Sequence, residues 1–159
     1  MTGSKRLASG LALGVCVSAA CAAQEAKKAE VFHGSAIAKQ WSELAPVSKD
    51  KGSAGTTLGD YGSHVLKLSL RNTNGGAEVH HHFNDVLIVT GGGGTLVTGG
   101  EVVDSKEGAD GEVTGSSVRG GSSQEIGAGD VVHVPAGVPH QIRLPAGGSF
   151  QAIVIKVRE

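Results

Sequence analysis

Gly129-Asp-Val-Val-His133-Val-Pro135-Ala-Gly137-Val-Pro139-His140 is the stretch on which the reading of this chain turns. A glycine opens it, Val131 to Val134 has the β-branched content of a short strand, and Pro135-Ala-Gly137 is a turn. His140 then enters the next strand directly from that turn. Upstream lies a companion stretch, Ala77-Glu-Val-His80-His81-His82-Phe-Asn-Asp85-Val-Leu-Ile-Val-Thr-Gly91-Gly92. On a strand, residues two apart point the same way, so His80 and His82 are expected to project together while His81 faces the other side. Two imidazoles on one face, with the Asp85 carboxylate close behind, are plausible ligands for a first-row metal. His140 can supply a third imidazole if the two strands are neighbours in a closed sheet. Glu78 alternates with His80, so it either lines the same cavity or stands as a strand-end charge in solvent.

The rest of the chain repeats the pattern of short strand and glycine turn. His64 to Leu70 alternates, placing Leu66, Leu68 and Leu70 on one face. Asn72 to Gly76 is a turn, and strands are expected at Ala77–His82 and Val86–Thr90. Gly91 to Gly94 is read as a hairpin bend into Thr95–Thr98, and Asp104 to Gly115 as a polar excursion. Further strands are expected at Glu101–Val103, Ser117–Arg119, Gln124–Ile126, Asp130–Val134, Gln141–Leu144 and Phe150–Val157. Before all of these, Ser35 can cap a short helix through about Leu44, with Ile37, Trp41 and Leu44 at helical spacing and Pro46 ending it. Lys49 to Gly59 reads as a loop. Twenty-six glycines among 159 residues, without a collagen period, agree with an all-β protein of many tight turns.

The N-terminus has a different character. Lys5 and Arg6 precede a small-apolar run from Leu7 to Ala20, and Ala20-Cys-Ala-Ala23 supplies small residues for cleavage, the pattern of a secretory signal peptide. The division expected is a signal peptide at 1–23, a polar lead-in with a short helix at 24–60, and a β-barrel at 61–159. The product would be periplasmic or secreted. Cys16 and Cys21 both lie in the leader, so cleavage after Ala22 or Ala23 leaves no cysteine for a disulfide. Ser18-Ala-Ala-Cys21 faintly resembles a lipobox, the less favoured alternative in which Cys21 carries a lipid anchor. A formal net charge of −1 with no basic stripe argues against nucleic acid as a partner. The apolar run is too short for a good membrane span.

The two histidine stretches resemble the two motifs of the cupin superfamily. The second matches through its core: Gly129, five residues, Pro135-x-Gly137, two residues, His140; Leu144 stands where the pattern ends in Asn. The first departs from its pattern of His-x-His, three or four residues, Glu, six residues, Gly. Here His80-x-His82 is followed after two residues by Asp85, and Gly92 follows after six more. A frame on His81 would pair it with Val79, which cannot bind metal. The resemblance covers about His64 to Val157 and implies a cupin barrel, also called a double-stranded β-helix or jelly roll. It implies one divalent transition metal (Fe, Mn, Ni, Cu or Zn) held by His80, His82, His140 and an acidic fourth ligand at Asp85. Either the shorter side chain and shorter connection at Asp85 cancel, or the metal has three protein ligands and extra water.

The function expected is a metal-dependent enzyme acting on a small organic molecule, of dioxygenase, isomerase or lyase type. The alternatives are a non-catalytic cupin that binds or senses a small ligand, and a barrel that the metal merely braces. Aromatic residues make up only 3%, which argues against stacking a large flat substrate or a sugar. Glu78, His133 and Gln141 are the candidates for a supporting general base; His64 and His33 read as structural or exposed. Pairing as a homodimer through edge strands stays open.

Overall fold

The computed structural model describes residues 28–159; the expected signal peptide and both cysteines lie outside that range. Helix α1, Gly34–Lys51, turns a stripe of Ile37, Gln40, Trp41, Leu44 and fully buried Ser48 toward the sheet. It continues past Pro46, where the sequence predicts a stop. Pro46 and Ser42 both lie on the exposed side, so the Ser42 carbonyl that loses its partner is open to water. His33, not Ser35, is the N-cap, and it makes no side-chain capping bond. At the other end Gly52, at φ 84°, takes the left-handed conformation and its N–H donates to the Ser48 carbonyl.

Strand β1, Ser53–Asp60, follows at once and pairs antiparallel with β2, His64–Arg71. The expected loop at 49–59 is therefore helix end and strand, and the sheet begins ahead of residue 61. Its Gly, Ser and Thr residues carry no apolar alternation; their order comes from the β2 ladder and from α1 packed against them.

The remaining strands are β3 (Ala77–His80), β4 (Phe83–Thr98), β5 (Glu101–Val103), β6 (Lys106–Glu107), β7 (Glu112–Gly115), β8 (Ser117–Arg119), β9 (Ser122–Gly127), β10 (Val131–Val134), β11 (His140–Arg143) and β12 (Phe150–Arg158). The expected polar excursion at 104–115 contains β6 and β7, which extend the sheet outward from β3. The Gly91–Gly94 stretch is not a hairpin. It is the middle of the 16-residue β4, where the strand passes from one wall of the barrel to the other. Up to Gly92, β4 pairs with β12 and β10; from Gly93 onward it pairs with β9 and β11. The glycines permit close approach from both sides. A Cβ on Gly92, at φ 67°, would lie 2.0 Å from the Ser149 carbonyl oxygen, and one on Gly94 would lie 2.4 Å from that of Arg143.

The interior holds Leu87, Val89, Leu96, Ile126, Val132, Val134, Ile142, Phe150, Ala152 and Val154 in one apolar cluster. Strand β2 meets this interior with its polar face. Lys67, Ser69 and Arg71 pair across the ladder with Val154, Ala152 and Phe150 and so share their inward face. Leu68 and Leu70, both buried, lie on the opposite face, beneath α1. The alternation read from sequence is present, but its apolar side is the outside of the barrel.

Candidate metal centre

Five strands bring the polar groups of the lumen together through their register. On β3, Glu78 pairs with His140 of β11, and His80 pairs with Glu112 of β7. On β4, Asp85 pairs with Lys156 of β12. The His80 Nε2 atom lies 3.4 Å from an Asp85 oxygen and 3.5 Å from a Glu78 oxygen, and His140 Nε2 lies 4.0 Å from the same Asp85 oxygen. The two imidazole rings are 5.2 Å apart.

Hydrogen bonds behind the rings set which nitrogen faces inward. His80 Nδ1 donates to Glu112 at 2.5 Å, and His140 Nδ1 donates to the Val138 carbonyl at 3.1 Å. In the neutral form each ring therefore presents its Nε2 lone pair to the cluster. His80 Nε2 is buried without a hydrogen bond. A buried polar atom in that state is costly unless a charge or a metal ion faces it.

The protonation of the metal-free cluster follows from its crowding. Burial disfavours the His80 cation, but the Asp85 and Glu78 carboxylates outweigh it and raise its pKa to about 9. Burial likewise disfavours the Glu78 anion, yet His80, Arg71 and His140 bring its pKa down to about 2. Asp85 is also lowered, with burial again opposed by His80 and Lys156. Burial pushes His140 down, which keeps it neutral and ready as a ligand. Each carboxylate also holds a cation: Arg71 reaches Glu78 at 3.2 Å and Lys156 reaches Asp85 at 3.0 Å.

Glu78, His80 and His140 could hold a metal ion, each offering one donor atom within 4.8 Å of the others. A tetrahedral ion with bonds of ~2.0–2.2 Å has neighbouring donors about 3.3–3.6 Å apart. The separations around His80 Nε2 fall in that range; Asp85 lies beside His80 and His140 but outside the group whose donor atoms are all within 4.8 Å of one another. The residues present fit a divalent metal, and its position would satisfy the buried His80 Nε2, which makes no hydrogen bond.

Of the four ligands expected from sequence, the fold gathers His80, Asp85 and His140. His82 does not join them. Strand β3 ends at His80, so the two-residue alternation stops there, and His81 and His82 form an exposed turn. His82 lies against Gly111. Glu78 takes the inward place beside His80. The first motif is then Glu78-x-His80, four residues, Asp85, six residues, Gly92, which restores the cupin spacing that the His80-x-His82 frame breaks. That irregular spacing was the signal available in the sequence. Glu112, inside the polar excursion, gave no such signal. His133 is exposed on the outer face of β10, and the Gln141 amide is used by Gly75, Val118 and Arg143. His64 stacks on Tyr61.

No family model matches the sequence, and no curated protein does. Solved structures do match. The DMSP lyase DddQ from Ruegeria pomeroyi DSS-3 superposes with a TM-score of 0.50 at 16% identity, over 69% of this chain and 49% of that one. A cupin-2 domain protein from Rhodospirillum rubrum gives 0.49 at 14% identity, over 68% and 61% of the two chains. The polyketide cyclase RemF from Streptomyces resistomycificus gives 0.49 at 19%, over 69% and 67%. This chain thus spans about half of the lyase and three fifths of the cupin-2 protein. At such identities the likeness is one of fold alone, and the lyase shares the β-barrel described above.

Proposed function

We propose that this protein is an exported, divalent-metal-dependent enzyme acting on a small organic molecule, in a reaction of dioxygenase, isomerase or lyase type. The observation that carries the proposal is the buried His80 Nε2, which makes no hydrogen bond and faces Glu78, Asp85 and His140 at the side of a cavity of about 250 Å³. Glu78, His80 and His140 would hold the metal, with Asp85 as a fourth donor. Bound there, a divalent ion would supply Lewis acidity or an activated water. The chain's own residues do the rest. Glu112 and the Val138 carbonyl fix the ring tautomers, Arg71 and Lys156 hold the carboxylates in place, and the apolar wall of Leu87, Phe150 and Val154 limits water around the substrate. Several strongly perturbed groups in one cavity favour catalysis over a passive fold brace.

Export rests on the Lys5-Arg6 and Leu7–Ala20 pattern, and cell fractionation with N-terminal sequencing of the mature protein tests it. No helix among the described residues is long and apolar enough to cross a membrane. The function is tested by measuring metals in protein purified without added metal, then following oxygen uptake and product formation on small acids, diketones and thiols. Stoichiometric metal with metal-dependent turnover is expected. Metal retained without turnover, together with a ligand-induced rise in melting temperature, would move the assignment to a binding protein.

A further inference from the structure

We propose that Lys67 forms an anion subsite in the barrel lumen, receiving the carboxylate of a small organic acid whose other end reaches the His80/His140 centre. The inference deepens the metal-site reading above and rests on it. Lys67 is half-buried on β2 and lines the cavity together with Glu78, Asp85 and His140. Its two inward companions are provided for differently: Arg71 is paired with Glu78, and Lys156 with Asp85. Among the described residues Lys67 forms no ion pair with a carboxylate. Its cross-strand neighbours are Thr57 and Val154, and Ser69 is the next inward residue on its own strand. A lysine turned into the lumen, when three leucines of the same strand are turned out, puts a cation where an anion entering the cavity would meet it.

The charge balance points the same way. Three cations, Lys67, Arg71 and Lys156, line the cavity against two carboxylates, Glu78 and Asp85. A divalent metal on the carboxylates would leave the lumen more positive still, and a bound anion would relieve it. Lys67 and Lys156 are diagonal neighbours on the same face of the β2–β12 ladder, which puts their backbones about 7–8 Å apart. An acid bound at Lys67 therefore lies within one short molecule of the Asp85–His80 cluster. Small residues, Ser53 and Gly55, form the β1 side of the cavity and leave room beside Lys67. The volume of about 250 Å³ equals roughly eight waters at ~30 Å³ each, the scale of a compact organic acid. A phosphate is less well served, since the one helix among the described residues lies outside the barrel and brings no N-terminus into the lumen.

The test titrates malonate, its neutral diamide malonamide and inorganic phosphate into the purified protein, metal-free and zinc-loaded. Wild type, Lys67→Met and Lys67→Arg are compared by calorimetry. Malonate is expected to bind and malonamide not to; Lys67→Met should weaken malonate about tenfold or more, while Lys67→Arg stays within about threefold. Zinc affinity without malonate should be unchanged in both variants. Thermal melts check that Lys67→Met is folded, and Lys67→Gln, which keeps a polar end without charge, should lose malonate equally. Malonate binding unaffected by loss of the lysine would overturn the proposal, as would equal binding of malonamide. Tighter binding of phosphate with the same dependence on Lys67 would overturn the carboxylate assignment. Failure of the wild type to bind zinc would sink the metal reading alone; malonate binding to the metal-free protein, lost in Lys67→Met, would still uphold the subsite.

Discussion

Replacing Glu78 by Gln separates the two possible frames of the first motif. The substitution keeps the side-chain volume and removes the charge from one of the three groups that could hold the ion. Loss of a group that merely orients a metal ligand costs ~10–100-fold in affinity. Loss of a ligand itself should exceed that, so zinc affinity is expected to fall by more than about 100-fold, or ~2.7 kcal/mol. The metal-free protein should weaken too, because the variant strips the negative partner from Arg71 at 3.2 Å and from His80 at 3.5 Å. Glu78 has its pKa lowered to about 2, so its contribution is present above its ordinary carboxylate range and is lost as pH falls through about 2. With its side chain 34% exposed, solvent screening limits that contribution to about 2 kcal/mol at neutral pH. Zinc affinity is read by competition with a chromophoric chelator, and stability by urea titration in EDTA. His82→Ala serves as the control and should leave zinc affinity within about threefold of wild type. If His82→Ala abolished binding while Glu78→Gln retained it, the frame argued here would be refuted.

Four further outcomes follow from the structure. Glu112→Gln should lower metal affinity ~10–100-fold while leaving the ligands in place, because it weakens the bond that orients His80; an unchanged affinity in the same competition assay would mean that ring packing alone orients His80. Without metal, the raised His80 pKa makes its contribution fully present below the ordinary histidine range and lost as pH rises through about 9, so urea midpoints in EDTA should fall between pH 7 and pH 10. Zinc must displace that proton, so its apparent affinity should rise with pH toward about 9, with proton release detectable by calorimetry in buffers of different ionisation enthalpy. Gly92→Ala should cost about 2–4 kcal/mol, combining a left-handed backbone with a Cβ placed 2.0 Å from the Ser149 oxygen. Gly62→Ala, at φ 77° in open space, should cost only about 1–2 kcal/mol, and equal losses in urea titration would deny the close approach at β4.

Much of the barrel is legible from local chemistry. The strands around Val131–Val134 and Phe150–Val157 announce themselves by β-branched content, and the Pro135-x-Gly137 turn delivers His140 as its spacing implies. What fails is whatever depends on a distant partner. Ser53–Asp60 has no apolar alternation of its own and becomes a strand because β2 and α1 flank it. The glycines of β4 look like a hairpin because glycine also marks turns. Only the carbonyls of Ser149 and Arg143, which arrive from far along the chain, show that they are there for close approach within one continuous strand. Pro46 fails for a similar reason, since whether a proline ends a helix depends on whether the freed carbonyl can find water.

The site teaches the same point at the scale of two residues. Period-two alternation puts Glu78, His80 and His82 on one face only for as long as the strand lasts, and β3 stops at His80. The stop comes from the turn that brings the chain round to begin β4 at Phe83 and so deliver Asp85 beside His80. A strand running through His82 would leave only two residues before Asp85, too few to turn and rejoin the same cluster. The short spacing to Asp85 and the choice of Glu78 over His82 are therefore one fact. Histidine chemistry drew the frame two residues too far along; the spacing demanded by a strand, a turn and a strand draws it back.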